Sequence, residues 1–371
     1  MIKNNVLGII FANSNDELVP QFTNKRSMAS IPFGGRYRLI DFTLSNLVNA
    51  GISKVGVITK SNYNSLLDHL GSGISWDLDR KNGGLFMLPP FSTNTAGFFN
   101  SKVDALAGIM TFLTRSNEEY VVMCDSDIVS NIDIDKLISA HKESGASVTL
   151  AYKNGYIKNL ARATKALELA KDGTVNALKD IEADGEYNYC LDIYVIRRED
   201  LISIINVASK YNSFEVSRQM LKASLGDIKV GAYKVTDFAE LVYSKERYAE
   251  ISMSLLDPNK RRELFKNERP VYTKTRDDMP TRYGVEAATS NTLIASGCVI
   301  EGKVQDSVIF RGVEIGKNTS VNDCIVMQGT KIGKNCKLQY VITDKAVVIS
   351  DGMTLIGTPD NYIYVGKEKI I

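Results

Sequence analysis

The sequence has few of the residues that build metal and redox sites. It contains two histidines and five cysteines among 371 residues, and no two cysteines form a Cys-x-x-Cys pair. Zinc sites and disulfide frameworks depend on closely or regularly spaced ligands, so both are excluded. We expect the cysteines to be buried, reduced thiols. They are Cys124, Cys190, Cys298, Cys324 and Cys336.

An excess of charge of one sign is also lacking. Lysine and arginine number 45 and aspartate and glutamate 43, which leaves a formal net charge of +2. A protein without a broad basic field has no general attraction for nucleic acid or for anionic membranes. We therefore expect neither as a partner, and any charged ligand must be bound by a local cluster of side chains.

The sequence has no long hydrophobic run. The apolar stretch at residues 6–12 is much shorter than the roughly 18 residues of a membrane span, and it lacks the features of a signal peptide. Apolar residues make up 44% and charged residues 24% of the chain, as is usual for globular proteins. These observations predict a folded protein of the cytoplasm.

Strand patterns alternate with helical patterns in the first two thirds of the chain. Strands are predicted at residues 6–11 and 55–59, and helices at residues 39–49 and 63–70. This alternation is typical of βαβ units on a mostly parallel sheet, so we predict one Rossmann-like α/β domain over residues 1–243. Further strands are predicted at residues 120–124, 147–152 and 191–196, and further helices at residues 104–115, 135–144 and 198–209.

Two segments of this domain, residues 71–100 and residues 154–187, lack a regular pattern and are predicted to be loops. Long loops in a compact domain usually serve a site or an interface. The first segment contains Trp76, the only tryptophan of the chain. Trp76 either packs in the core or anchors an interface.

A repeat of about six residues begins at residue 291. Its clearest copies are Ile-Gly-Lys-Asn at residues 315–318 and again at residues 332–335. Such repeats predict a left-handed parallel β-helix over residues 291–371, because each rung directs an aliphatic side chain inward and turns at small or polar residues. A β-sandwich with regular turns is the alternative. Residues 244–290 are predicted to be a linker that contains a helix.

One block of sequence carries a resemblance to a known family. It reads Ile-Pro-Phe-Gly-Gly-Arg-Tyr-Arg-Leu-Ile-Asp-Phe at residues 31–42 and continues with Asn-Ala-Gly-Ile at residues 49–52. This block closely resembles the bacterial glucose-1-phosphate adenylyltransferases, or ADP-glucose pyrophosphorylases, which make ADP-glucose for glycogen. The resemblance implies a nucleotidyltransferase-type α/β domain followed by a left-handed β-helix.

The positions that the resemblance implies for phosphate binding are replaced here. Active members of the family have a Gly-Gly-x-Gly-x-Arg loop, whose glycines let backbone N–H groups approach the phosphates. This chain has Asn-Ser-Asn-Asp-Glu-Leu at residues 13–18. Asp16 and Glu17 there would repel a triphosphate. The lysine of the family's Arg-Ala-Lys-Pro run is replaced by Met28.

The positions implied for magnesium and for the sugar phosphate differ as well. The first aspartate ligand corresponds to Ser126, although Asp125 or Asp127 could substitute with a shift of one residue, and the second corresponds to Leu241. The family's Glu-Lys-Pro is absent, and its Ser-Met-Gly-Ile-Tyr is replaced by Cys-Leu-Asp-Ile-Tyr at residues 190–194. We therefore predict no catalytic residue, no metal site and no bound cofactor.

This pattern of losses resembles the GlgD class of glycogen-biosynthesis proteins. The resemblance implies a non-catalytic regulatory subunit, a pseudoenzyme that joins a catalytic adenylyltransferase subunit in a heterotetramer, with self-association also expected. The alternative is a weakly active sugar-phosphate nucleotidyltransferase that uses Asp125 and Asp127. An acyltransferase, which β-helices of this kind often form with a histidine base, is disfavoured because His69 and His141 both lie in the α/β domain.

A local group of cations remains beside the replaced positions. It consists of Lys25, Arg26, Arg36 and Arg38. In the family the equivalent of Arg36 is a lysine associated with phosphorylated activators, which implies a sugar phosphate or another anion as effector. Arginine suits bidentate phosphate recognition, but solvated or ion-paired arginines are the alternative.

Three aspartates, Asp125, Asp127 and Asp133, either bind a cation weakly or form turns. A helix cap at Asp133 or Asp135 is the preferred interpretation.

Overall fold

The computed structural model describes residues 5–89, 102–158, 164–211 and 229–371. The first part of the chain forms an α/β domain around a nine-stranded sheet. In chain order, the strands of this part are β1 Val6–Phe11, β2 Pro32–Phe33, β3 Tyr37–Arg38, β4 Lys54–Ile58, β5 Gly84–Leu88, β6 Tyr120–Asp125, β7 Ile128–Ser130, β8 Val148–Ile157, β9 Lys165–Leu169, β10 Val175–Asp180, β11 Gly185–Arg197, β12 Val230–Lys234 and β13 Ala239–Leu241.

Helices cover the sheet and lead out of the domain. They are α1 Pro20–Thr23, α2 Leu39–Asn49, α3 Asn64–Leu70, α4 Lys102–Gly108, α5 Met110–Thr114, α6 Ile134–Ser144, α7 Arg198–Tyr211, α8 Lys245–Ser254 and α9 Pro258–Leu264. Short 3₁₀ turns lie at Asp16–Leu18, Met28–Ser30 and Ile74–Trp76.

One side of the sheet is parallel, because β6, β1, β4 and β5 lie side by side and run in the same direction, with β5 at the edge. Strand β11 is antiparallel to its neighbours β6 and β8. Every residue of β1 is buried, as expected for a strand that is covered on both faces. The predicted Rossmann-like domain followed by a β-helix is confirmed, and β1 and α2 have the predicted bounds.

Helix α2 begins at Leu39, within the sequence block of residues 31–42, and its start is fixed by a capping interaction. The carboxylate of Asp41 accepts a hydrogen bond from the backbone N–H of Arg38 at 3.0 Å, as in a capping box. Asp133 likewise caps α6 by accepting from the Lys136 N–H at 3.1 Å. The cap predicted at Asp133 is therefore confirmed.

The prediction of a loop over residues 154–187 is wrong. The segment continues β8, contains the antiparallel pair β9 and β10, and ends inside β11; its residues 159–163 lie outside the described residues. Only Leu167 in β9 and Val175 in β10 are buried, which explains why a hydrophobic pattern was too weak to predict these strands.

The other predicted loop, residues 71–100, contains a 3₁₀ turn and β5, and its residues 90–100 lie outside the described residues. Trp76 is buried there and packs edge to face against His69, with ring centroids 5.7 Å apart. The core interpretation of Trp76 is thus confirmed. The five cysteines are free and buried, as predicted.

The last part of the chain is a parallel β-helix. Its strands are β14 Arg282–Tyr283, β15 Ala288–Ile294, β16 Val299–Ile300, β17 Lys303–Ile309, β18 Glu314–Ile315, β19 Ser320–Asn322, β20 Ile325–Val326, β21 Lys331–Ile332, β22 Lys337–Gln339, β23 Val341–Thr343, β24 Val348–Ile349, β25 Thr354–Ile356 and β26 Ile363–Val365. The repeat was predicted to begin at residue 291, but β14 lies before this residue and β15 begins before it.

Successive coils of this β-helix repeat with a step of 17 residues, as seen where Cys336 N–H donates to the hydroxyl of Thr319. The step places Ile315, Ile332 and Ile349 in register on neighbouring strands, where all three are buried. Aliphatic residues that stack in this way form one continuous core along the axis.

A hydrophobic core also lies between the two domains. Tyr248 of α8 is fully buried and donates to the carbonyl oxygen of Pro32 at 2.6 Å. Apolar side chains from both domains pack around it: Phe22, Phe33, Phe42, Leu255, Val308, Phe310, Ile325, Met327 and Ile342. The α/β domain and the β-helix therefore form one packed unit. Within the described ranges, no helix is long and apolar enough to cross a membrane.

Candidate functional site

The carboxyl ends of β1, β4 and β6 meet at one edge of the sheet, where open α/β sheets usually bind ligands. The loop of residues 13–18, which follows β1, is held by its own side chains. Asn13 Nδ2 donates to Asp16 Oδ2 at 2.7 Å, and Met28 N–H donates to Asp16 Oδ1 at 2.7 Å. Burial raises the pKa of Asp16 to about 6, although these hydrogen bonds oppose the shift. A loop closed by an acidic side chain does not present a cradle of N–H groups for phosphates.

Buried carboxylates lie beside this loop. Asp125 Oδ1 accepts a hydrogen bond from Ser14 Oγ at 3.2 Å, and Asp127 Oδ2 accepts one from Asn15 Nδ2 at 2.7 Å. Both aspartates are almost completely inaccessible to solvent. Ser14, at one of the family's glycine positions, and its neighbour Asn15 therefore bind the carboxylates of the cleft directly.

The ammonium of Lys102, the first residue of α4, lies among these carboxylates. Its Nζ atom is 2.7 Å from Asp125 Oδ2 and 3.4 Å from Asp192 Oδ1. Asp192 reaches the cleft because a bulge interrupts β11 between Cys190 and Tyr194, where Asp192 has a φ of +52°. No motif in the sequence indicates that Lys102 and Asp192 belong to one site.

The charges of this cluster depend on one another. Burial disfavours the ammonium of Lys102, but Asp125 and Asp192 outweigh burial and raise the pKa of Lys102 above its usual value. Burial raises the pKa of Asp125 although Lys102 opposes it. Burial and the charge of Asp192 raise the pKa of Asp127 to about 6. The positive charge of Lys102 is therefore held within an internal ion pair.

The residues present do not fit the magnesium that the family resemblance implies. Ser126 Oγ donates to the carbonyl oxygen of Phe11 at 3.0 Å, and Leu241 is buried in the core beside Ile128. Neither position provides a metal ligand. Among the residues that the structure describes, no group of three or more His, Cys, Asp or Glu side chains is placed to hold a metal.

A second region, the cationic pocket, lies between the β2–β3 turn, the linker and the β-helix, and encloses about 430 Å³. Its charged and polar lining residues are Arg36, Arg38, Asp68, His69, Lys274, Arg276, Arg311, Gln328 and Lys345. Arg311, Gln328 and Lys345 come from successive coils of the β-helix, one above the other. Six cations and one acid line this pocket, so its field favours an anion.

Crowding of these cations shifts their pKa values. Burial, together with the charges of Arg38 and Arg26, lowers the pKa of Lys345 to about 7. Burial lowers the pKa of Arg38 to about 10, although Asp41 opposes the shift. Burial and the charge of Arg36 lower the pKa of Arg311. An anion in the pocket would relieve this repulsion.

The structure divides the four cations predicted from the sequence. Arg36 and Arg38 line the cationic pocket. Lys25 is exposed and lies 3.6 Å from Glu368, while Arg26 is buried and paired with Asp344 at 2.7 Å. Anion binding by these residues stays a prediction. Sequence reasoning missed the cations that the linker and the β-helix contribute: Lys274, Arg276, Arg311 and Lys345.

The two histidines have structural partners in the α/β domain. His69 Nε2 lies 2.5 Å from Asp41 Oδ1, and His141 Nδ1 lies 2.8 Å from Thr149 Oγ1. Neither histidine is in the β-helix, where a base for acyl transfer would have to lie.

Comparison with known proteins adds to this geometry. The family described as Nucleotidyl transferase matches residues 16–162, and the family described as GlmU-like, C-terminal hexapeptide matches residues 278–361. The glycogen biosynthesis protein GlgD of Bacillus subtilis (strain 168) is 33% identical over 374 residues, which cover 100% of this chain and 98% of that protein.

Two further relatives have similar identities. The glycogen biosynthesis protein GlgD of Geobacillus stearothermophilus is 35% identical over 323 residues, 86% of this chain and 84% of that protein. The glucose-1-phosphate adenylyltransferase of Halalkalibacterium halodurans is 31% identical over 373 residues, 99% of this chain and 97% of that protein. Overall identity therefore does not separate the two kinds of relative, and the residues of the cleft must do so.

Proposed function

This chain belongs to the family that includes the GlgD glycogen biosynthesis proteins and the glucose-1-phosphate adenylyltransferases, and on that premise we propose that it is a regulatory subunit. In this role it makes no ADP-glucose itself and alters the rate at which a catalytic subunit makes ADP-glucose from ATP and glucose 1-phosphate. Its place in glycogen biosynthesis follows from the family.

The observation that carries the proposal is the composition of the cleft. Nucleotidyl transfer needs cations to neutralise the phosphates of the transition state. Here the position of the lysine is Met28, a position of the metal ligand is the buried Leu241, and the ammonium of Lys102 is engaged by carboxylates. The first change removes a cation, the second removes a ligand for a metal cation, and in the third the carboxylates neutralise the ammonium that remains.

An exposed apolar edge of the β-helix supports the proposal that this chain binds a partner subunit. The first coil pairs on one side only, since β14 contacts β16 and β15 contacts β17 among the described strands. Met279, Tyr283 and Val285 are exposed at this edge. Open strand edges and exposed apolar side chains are features of surfaces that associate. We propose that this first-coil edge contacts the catalytic subunit in a heterotetramer, and a second copy of this chain when the catalytic subunit is absent.

The cationic pocket supports the proposal that an anionic effector, such as a sugar phosphate, binds this chain. It lies where α/β domain, linker and β-helix meet, so a bound anion would contact all three. A ligand that binds one arrangement of these segments more tightly than another shifts the equilibrium between them. This is how the pocket would connect metabolite binding to regulation.

A weakly active transferase is the second candidate, because Asp125 and Asp127 remain in the cleft. The two functions are separated by measuring ADP-glucose formation from ATP, glucose 1-phosphate and magnesium. The assay uses this chain alone, a catalytic subunit alone, and mixtures at increasing molar ratios. We expect no turnover by this chain alone and a saturable change in rate or effector response in the mixture. Steady turnover by the pure chain, or a mixture that equals the catalytic subunit alone, would contradict the regulatory role.

A further inference from the structure

The cleft holds a side-chain cation at the point where its carboxylates converge. Lys102 Nζ touches one oxygen of Asp125 and lies within ion-pair distance of Asp192. The rings of Phe11 and Tyr194 flank it, with centroids 5.7 and 5.8 Å from Nζ. Aromatic faces attract an ammonium but supply no ligand atom for a hard metal ion. The surroundings of Nζ therefore suit a lysine.

An ammonium and a divalent cation compete for the same oxygens. Magnesium and manganese in such clefts are held by one or two carboxylates and by water. The lysine ammonium is a compact point charge, and at 2.7 Å from Asp125 Oδ2 it fills the space that a metal and its hydration shell would need. Both cannot bind Asp125 together.

One carboxylate oxygen near the ammonium has no partner. Asp127 Oδ1 is buried and accepts no hydrogen bond from any described residue, while its other oxygen is bound by Asn15. Asp127 is close enough to interact electrostatically with Lys102 and Asp192. A buried carboxylate oxygen without a donor is costly, and it is a ligand atom that a cation would use.

We propose that Lys102 replaces a divalent cation in this cleft: its ammonium bridges Asp125 and Asp192 and keeps metal out. Removal of the ammonium alone would leave the two carboxylates that it bridges, Asp125 and Asp192, free to bind a hydrated divalent cation. This inference concerns metal binding by the isolated chain and does not depend on the regulatory role.

The test is calorimetric titration of the full chain with Mn²⁺, combined with electron paramagnetic resonance of the free ion. The variants are Lys102→Met, the double variant Lys102→Met with Asp125→Asn, and the control Lys60→Met, whose side chain lines the same cleft. We expect no saturable site in the wild type or the control. Lys102→Met should bind one Mn²⁺ at least about tenfold more tightly than the wild type does, a difference of about 1.4 kcal/mol. The double variant should lose that site.

The results for the wild type and for Lys102→Met can each overturn the proposal. Saturable binding of one Mn²⁺ by the wild type would show that Lys102 does not exclude metal. A folded Lys102→Met protein without a site would show that the carboxylates do not form one. If that variant does not fold, Lys102→Ala takes its place, since the shorter side chain also removes the ammonium and leaves its space open. Because no catalytic subunit is present, the result is independent of the mixed-subunit assay.

Discussion

Arg26 and Asp344 form a buried ion pair that joins the α/β domain to the β-helix. Arg26 Nη2 donates to both carboxylate oxygens of Asp344, at 2.7 and 2.9 Å. The two side chains are 2% and 3% exposed, and Tyr364 Oη donates to Asp344 at 2.6 Å. Removal of either charge would leave the other buried without its counter-ion.

We therefore expect Arg26→Met to destabilise the protein by about 3–5 kcal/mol, the usual effect of breaking a buried pair. Chemical denaturation followed by circular dichroism would measure this loss. Lys25→Met is the matched control, because the Lys25–Glu368 pair is exposed and such pairs contribute about 0–1 kcal/mol. The double variant of Arg26→Met with Asp344→Asn should lose less free energy of unfolding than the two single variants lose together. Strict additivity would mean that the pair is not coupled.

Anion binding in the cationic pocket should weaken as the pH rises through about 7. The pKa of Lys345 is lowered to about 7 in the free protein, and a bound anion would raise it. Below this pH the ammonium is already present, whereas above it binding requires the uptake of a proton. Titration calorimetry with sulfate, which does not titrate in this range, would measure the effect. In Lys345→Met the pH dependence should disappear.

The four cations predicted from the sequence should differ in their effect on anion binding. Arg36→Met removes a donor from the pocket lining, and a hydrogen bond to a charged group contributes about 1.5–3 kcal/mol. We expect sulfate affinity to fall at least about tenfold. Lys25→Met should leave it unchanged, because Lys25 does not line the pocket. Equal losses in both variants would place the anion site elsewhere.

The coils of the β-helix should tolerate no added methyl group at Gly316. A Cβ atom there would lie 2.7 Å from the carbonyl carbon and oxygen of Gly333 on the next coil, and this oxygen accepts a hydrogen bond from the Thr319 hydroxyl. We expect Gly316→Ala to destabilise the domain by about 3 kcal/mol. Gly312→Ala meets no atom within 4 Å, so it should cost only about 1 kcal/mol for its positive φ of 65°. Thermal unfolding of both variants would check this order.

A charge at the first-coil edge should disturb association but not folding. Val285 is fully exposed, so Val285→Lys should leave the melting temperature of the isolated chain unchanged. In the mixed-subunit assay we expect it to raise the concentration of this chain needed for half of the maximal effect. Lys331→Met, at an exposed position on a later coil, is the control. An unchanged response to Val285→Lys would remove this edge from the proposed interface.

Much of the fold could be predicted because its pattern is local. The buried strand β1 and the helix α2 have dense apolar sequences, and their bounds agreed with the prediction. The exposed pair β9 and β10 was missed because each strand buries one residue. Their existence depends on pairing with each other and with β11, which no local pattern records.

The site was less predictable, because residues that lie far apart in the sequence form it together. Arg36 and Arg38 could be found from the family block, but Arg311 and Lys345 lie about 300 residues away. The ion pair of Lys102 and Asp192 depends on a bulge in β11. A single lysine and a single aspartate 90 positions apart form no motif, so only the three-dimensional structure brings them together.

The 17-residue step of the β-helix fixes the spacing of the residues along one wall of the cationic pocket. Arg311, Gln328 and Lys345 are each one step apart in sequence, so their backbones are separated by one strand spacing, about 4.8 Å. Arg311 and Lys345 are consequently about 10 Å apart along the axis, with a neutral amide between them. The hydrogen-bonded ladder sets this spacing, and side-chain choice does not. A ligand with two anionic ends would therefore meet a spacing that the backbone of the protein sets.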